Sequence, residues 1–312
     1  MANNVEISVI IPVSERYDSV RELYYDYRSA MDSSGKSYEF IYVLDGEFPD
    51  VFSELISLRN EGEGINVVKL SKWFGEATAL TAGFEHSTAD TILTLPAYYQ
   101  IEPLEIPSIL SGMKNYDMVI ARRWPRVDSK LTQMQSKIFH GLLNVITETS
   151  FHDLGCGVRA FKRQVIDEIS VYGDQHRFLP VLAAHQGFRI KESDVKQSTK
   201  DPHRRLYRTG VYSRRILDIL TVFFLVKFTK KPLRFFGLVG SGLFTLGGVF
   251  TLYLVYQRLF MDIALADRPA LLLSSLLVVL GIQLFAMGLI GELIIFTHAK
   301  DIKEYTVEEI VN

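Results

Sequence analysis

Two long apolar runs near the C-terminus, Phe235–Tyr256 and Ala270–Thr297, constrain this chain more than any other feature. Each exceeds the ~20 residues that cross a ~30 Å hydrocarbon core. A soluble domain rarely needs two such runs in succession, so both are expected to span a membrane. The connection Gln257–Pro269 is short, which makes the pair a hairpin with both ends on one side. Lys227, Lys230, Lys231 and Arg234 precede the first span, and Lys300 and Lys303 follow the second. That bias places the ends, and everything before them, in the cytoplasm. Gly237, Gly240, Gly242, Gly247 and Gly248 give the first span a small-residue surface for close helix packing. Glu292, inside the second run, is too costly to face lipid and is expected to face protein or the boundary.

The remaining two hundred residues have a different composition. A formal net charge of -2 gives no general argument for a nucleic-acid partner. The single cysteine, Cys156, excludes an internal disulfide framework and fits a reducing compartment. The N-terminus has no basic stretch followed by an apolar run, so no signal peptide is expected.

Within this part, short apolar runs alternate with helical patterns. Glu6–Pro12 is a continuous apolar run closed by proline, the mark of a central parallel strand. Val20, Leu23, Tyr24 and Tyr27 then recur at helical spacing. Strands are expected at Tyr38–Leu44, Ile65–Leu70, Asp90–Leu95, Asp117–Ala121 and Phe188–Val195. Helices are expected at Asp50–Asn60, from Trp73-Phe74-Gly75 to His86, and at Leu131–Thr147, Gln164–Ile169 and Phe178–Gln186. Phe151–Phe161 reads as loop and strand. Such alternation implies right-handed crossovers and a doubly wound α/β sheet.

Ligands of such sheets lie beyond the carboxyl ends of the strands, and Ala89–Pro103 contains such an end. The basic run Lys196–Arg215 lies just before the membrane segments, where binding to anionic headgroups or a lipid phosphate outweighs a merely solvated face. Leu217–Phe228 is expected to lie along the membrane surface.

Several stretches together resemble the family-2 glycosyltransferases that load a sugar onto polyprenyl phosphate. They are Val9-Ile-Ile-Pro12 with Glu15, Val43-Leu-Asp-Gly46, Phe74-Gly75 with Leu80-Thr-Ala-Gly83, and Gln100-Ile-Glu-Pro103. The series continues with Asp153, Gly157-Val-Arg159, Arg177-Phe-Leu-Pro180, Lys231-Pro-Leu-Arg-Phe-Phe-Gly237 and Gly291-Glu292. Their order covers nearly the whole chain. The resemblance implies a GT-A domain over residues 1–210, an interfacial segment 211–232, two spans within 233–298 and a tail 299–312. It implies a bacterial inner-membrane enzyme with a cytoplasmic catalytic domain and cytoplasmic termini, using a nucleotide-diphosphate sugar and polyprenyl phosphate and forming a homo-oligomer.

The resemblance also implies roles for particular residues. Pro12, Glu15 and Asp45 match nucleoside-binding positions, and Lys72 and Gln100 fall on the donor side. Asp45 is equally readable as a turn aspartate before Gly46. Asp153 matches the acceptor-side acid or base. Because a phosphate acceptor is already ionised, Asp153 is expected to orient groups or act through its charge, with loop capping as the simpler alternative. Arg159 and Arg177 would meet phosphate through bidentate guanidinium contacts, or form structural ion pairs. Arg122, Arg123, Lys200 and Arg205 complete the expected phosphate and lipid-phosphate ligands.

One departure cuts across this picture. The family carries Asp-x-Asp for Mg²⁺ or Mn²⁺ just before its Gln-x-Pro-like run, and those positions are Pro96 and Tyr98 here. Neither side chain ligates a hard cation as a carboxylate does. Asp90 and Glu102 lie too far along the chain to substitute obviously. Two readings follow: a transferase whose leaving-group charge falls to cations such as Lys72, Arg122 or Arg123, or a catalytically silent relative that binds a nucleotide or serves as a scaffold.

Overall fold

The structure, a computed structural model, describes residues 5–127, 133–134, 137, 141, 150–169, 173–201, 232–261 and 269–298. The chain divides into two compact units.

The first unit runs β1 (Ile7–Val13), α1 (Val20–Asp32), β2 (Tyr38–Leu44), α2 (Pro49–Asn60), β3 (Ile65–Lys69), α3 (Glu76–Glu85), β4 (Thr91–Thr94) and α4 (Ile106–Gly112). It continues with β5 (Met118–Arg123), β6 (Arg159–Lys162), α5 (Arg163–Glu168), α6 (Leu179–His185) and β7 (Ile190–Val195). The seven strands form one sheet in the order β3-β2-β1-β4-β6-β5-β7. Neighbours are parallel except β6, which runs antiparallel to β4 and to β5. This is the expected mostly parallel α/β sheet. The elements expected in this unit within the described residues are present, with ends displaced by up to three residues. One displacement matters: β5 extends to Arg123, so Arg122 and Arg123 belong to a strand instead of the loop beyond it. Of the expected helix Leu131–Thr147 only residues 133, 134, 137 and 141 are described, and all four are helical; the interfacial segment Leu217–Phe228 and most of the basic run lie outside the described residues.

Strand alternation sorts the core onto two faces. Ile7, Val9, Ile11 and Val13 join Leu23, Tyr24 and Tyr27 of α1, Leu55 of α2 and Ile109 of α4 in one cluster. Ile10, on the opposite face of β1, meets α3. A Cβ on Gly83 would lie 2.4 Å from Ile10 Cγ2, so α3 sits closer to the sheet than any side chain there would allow. This contact fixes the level at which the N-terminus of α3 meets the strand ends.

The second unit consists of α7 (Pro232–Met261) and α8 (Pro269–His298), both long and apolar enough to cross a membrane. They pack antiparallel, since Gly291 lies against Pro232 while Gly247 lies against Ser274 and Val278. A Cβ on Gly240 would approach Gly281 O to 2.7 Å, and one on Gly281 would approach Phe244 N to 2.5 Å. Backbone contact of this kind replaces the hydrophobic drive that is lost in lipid. Glu292 Oε2 is buried and has no hydrogen-bond partner.

Candidate active site

β1 and β4 are parallel neighbours, so the segments that leave them emerge on the same edge of the sheet. The loop Pro96–Gln100 is tied to the β1–α1 connection and to α1. Asp18 N donates to Ala97 O at 2.8 Å, and Tyr99 N donates to Asp18 Oδ2 at 3.0 Å. The Tyr27 hydroxyl bonds Pro96 O (3.0 Å) and Tyr98 O (3.3 Å), and the Tyr99 hydroxyl reaches Asp26 at 2.5 Å. Pro96, which has no donor of its own, is therefore anchored through its carbonyl.

Arginines and aspartates gather at this edge. The Arg16 guanidinium lies 3.8 Å over the centre of the Tyr98 ring. It also donates to Asp201 twice, from Nη1 to Oδ1 at 3.1 Å and from Nη2 to the carbonyl at 2.9 Å. Its Nε is buried and has no hydrogen-bond partner among the described residues. Asp201, fully buried, also accepts from Arg123 Nη1 at 3.1 Å and Gln197 Nε2 at 2.7 Å. Arg123 grips Asp153 with a fork, Nε to Oδ2 and Nη2 to Oδ1, both at 2.7 Å. Arg126 Nη1 lies 3.4 Å from Asp153 Oδ1. Burial alone would push the Asp153 carboxyl up, but Arg123 and then Arg126 bring it down to about 2. Among the described residues, the guanidinium groups of Arg16, Arg123 and Arg126 thus surround the carboxylates of Asp153 and Asp201.

Gln100, buried, joins the two loops that flank this cluster. Its Oε1 accepts from Gly157 N at 2.7 Å, and its Nε2 reaches Tyr98 Oη and Gly155 O, each at 3.3 Å. Burial, then the nearby Glu76 charge, pushes the Tyr98 hydroxyl up to about 12, so it stays protonated. Beyond Tyr98, Glu76 Oε2 lies 3.4 Å from Nε2 of the buried His176.

The other expected site residues divide by environment. Asp45 is wholly buried and accepts the amides of Phe74 (2.7 Å) and Gly75 (2.9 Å). It therefore bridges β2 to the start of α3, where Gly75 has φ 102°, so neither of its sequence readings described this bond. Pro12 is buried in β1, whereas Glu15 is exposed. Lys72 is exposed, with its ammonium 5.2 Å over the Phe74 ring. Lys200 is exposed, its ammonium 4.0 Å over the Tyr99 ring.

Several expected phosphate ligands are otherwise occupied. Arg159 is buried and donates to the carbonyls of Cys156, His176, Leu154 and Arg177, so it acts as a loop brace. Burial lowers its guanidinium to about 10. Arg122 and Arg123, adjacent in β5, point to opposite faces of the sheet. Arg122 pairs with Asp194 at 3.4 Å on the far side from the cluster, and Arg123 is consumed by Asp153 and Asp201. Arg177 is exposed, and Arg205 lies outside the described residues.

The described residues here do not form a divalent-metal site. Among the described residues no group of three or more His, Cys, Asp or Glu could hold one. Of the carboxylates near the β4 loop, Asp153 and Asp201 are paired with arginines, Asp18 and Asp26 bond Tyr99, Glu76 lies beside His176, and the face of Tyr98 is covered by Arg16. Sequence reasoning named Asp153 and Arg123 but missed Arg16, Arg126, Asp201, Glu76 and His176. Of these, Arg16 left a trace directly after the Glu15 of a recognised motif, and Arg126 as the end of the basic run Arg122–Arg126.

Three comparisons bear on this edge. A glycosyl transferase family 2 profile matches residues 8–170. The dodecaprenyl-phosphate galacturonate synthase of Rhizobium johnstonii is 28% identical, the match covering 96% of this chain and 90% of that one. Undecaprenyl-phosphate 4-deoxy-4-formamido-L-arabinose transferases are 30% identical in Edwardsiella ictaluri (98% and 94% covered) and 32% in Pseudomonas paraeruginosa (92% and 84%). Among solved structures, glucosyl-3-phosphoglycerate synthase of Mycobacterium tuberculosis, in complex with Mn²⁺ and UDP-glucose, superposes with a TM-score of 0.53 at 14% identity. That match covers 70% of this chain and 79% of the other, and it shows the fold alone. With its mostly parallel GT-A sheet and these relatives along nearly its full length, the chain belongs to glycosyl transferase family 2.

Proposed function

We propose that this protein moves a sugar from a nucleoside-diphosphate sugar to a polyprenyl phosphate, with inversion and without a metal at the β4 loop. The observation that carries the reading is the arginine-rich cluster at the strand ends of a GT-A sheet, in a chain that also has two membrane-length helices. The relatives named above act on dodecaprenyl or undecaprenyl phosphate, which supports the acceptor class.

An oxygen of the acceptor phosphate attacks the anomeric carbon, and the bond from that carbon to the diphosphate breaks with its electron pair leaving on the diphosphate. The products are the polyprenyl-phosphate sugar and a nucleoside diphosphate. The nucleophile is already ionised, so no general base is required. Asp153, carrying its charge from about pH 2 upward, holds Arg123 in place and sets the local field without taking a proton. Fixed guanidinium charge stabilises the departing diphosphate in this low-dielectric edge. Copies associate through the spans by way of Gly242 and Gly248, beside which a Cβ would meet open space.

The test is a donor screen on the full chain in detergent with undecaprenyl phosphate, with and without EDTA. Transfer is expected to continue undiminished in EDTA. Abolition by EDTA with recovery on Mn²⁺ would remove the metal-free mechanism. Nucleotide binding without transfer from any donor would leave a silent, nucleotide-holding subunit.

A further inference from the structure

We infer that Arg16 is the cation that meets the donor's diphosphate, a fixed guanidinium in place of the divalent ion that this site does not fit. The inference rests on the nucleotide-sugar reading and assigns a residue to it. Arg16 follows β1 by three residues, and Tyr98 follows β4, so the two reach the same carboxyl edge from adjacent parallel strands. Ligands of open α/β sheets bind there.

Arg16 is held in place without being neutralised. Tyr98 supports one face of the guanidinium at 3.8 Å, and Asp201 takes one N–H from each terminal nitrogen. The side chain is 18% exposed, so it is open to solvent on one side. Among the described residues Nε remains a buried donor with no partner, a costly arrangement unless an acceptor arrives. A diphosphate supplies several anionic acceptors with the spacing that a guanidinium fork matches. Asp201 cannot cancel the charge alone because it also receives Arg123. The adjacent pair Arg123–Asp153 is nearly charge-balanced and deeply buried, and Arg16, 18% exposed against 12% for Arg126, is the most exposed guanidinium of the cluster. Tyr98, at one of the positions expected to carry a metal carboxylate, here forms the platform for the cation.

Isothermal titration of the full chain in detergent with EDTA present tests this. UDP, GDP, CDP and ADP serve as probes in turn, each compared with its own nucleoside. The wild-type chain is expected to bind one diphosphate more tightly than the nucleoside, with no gain on adding Mg²⁺. Arg16→Gln is expected to weaken that diphosphate by at least about tenfold and leave its nucleoside unchanged. The unchanged nucleoside affinity also reports that the variant is folded. Arg16→Lys, which keeps the charge and loses the fork, should fall between the two. Equal diphosphate affinity in Arg16→Gln and wild type, or a wild-type affinity that requires Mg²⁺, overturns the assignment while leaving the transferase reading intact. A wild-type chain that binds none of the diphosphates with or without Mg²⁺ overturns both.

Discussion

At the scale of single residues, the site is a set of arginines arranged by two buried aspartates. Asp153 has the clearest thermodynamic consequence. Its carboxyl ionises at about 2 in the folded chain, against an ordinary value of 3.8. A depressed carboxyl favours the fold when ionised, so its contribution, on the order of 2 kcal/mol, is present above about pH 4. It is lost as pH falls from about 4 toward 2. The thermal midpoint of the full chain in detergent should therefore drop over that interval. Arg123→Met alone should cost about 3–5 kcal/mol at neutral pH by stranding Asp153, while Arg123→Met with Asp153→Leu should recover much of it and flatten the acid limb. A double variant no more stable than the single one would show that Asp201, not Asp153, is the chief partner of Arg123. Little of this was legible in the sequence. Arg16 and Asp201 belong to no local pattern, and only the folded sheet brings them together. Arg159 and Asp45 were recognised as important, but a motif cannot reveal that their partners are backbone groups.

At the scale of elements, the sequence was far more informative. Period-two and period-3.6 patterns placed most strands and helices of the described residues to within two or three residues, but α4 was not read, and α7 runs from Pro232 to Met261, beyond both expected ends of the first span. The antiparallel setting of β6 was not legible, since strand direction depends on the path of the preceding chain. Nor was the length of β5, whose last residues, Arg122 and Arg123, are charged and look like loop. The helix hairpin shows the same contrast. The glycines of the first span were read as packing positions, but only the structure separates Gly240 and Gly247, used within the hairpin, from Gly242 and Gly248, and it adds Gly281 of the second span. Gly281→Val would drive a side chain against the Phe244 backbone and should lower the thermal midpoint in detergent by several degrees. Gly242→Ala, which meets open space, should leave it within a degree or two. Equal effects of the two substitutions would mean that this packing contributes nothing.

At the scale of the whole molecule, two compact units serve one proposed task. The catalytic unit brings charge to a sheet edge, and the helical unit supplies length and apolarity suited to a bilayer. If copies associate through α7, then Gly242→Cys should give an oxidant-dependent crosslinked dimer in membranes, while a cysteine at Gly240, inside the hairpin, should not. A chain that stays monomeric on oxidation of Gly242→Cys would rule out that face.

The pairing of Arg16 with Asp201 has a kinetic consequence. It joins residues 185 positions apart, so its closure waits for almost all of the first unit to be synthesised. The β1–β4 half of the sheet is complete by Thr94 and can assemble while later residues are still being added. Long loops close slowly and at an entropic cost that only a preassembled scaffold offsets. The positive edge is therefore a late product of folding, formed when residue 201 reaches a sheet whose first half has already assembled. A nascent chain released before that point would have a well-ordered half-sheet and no site.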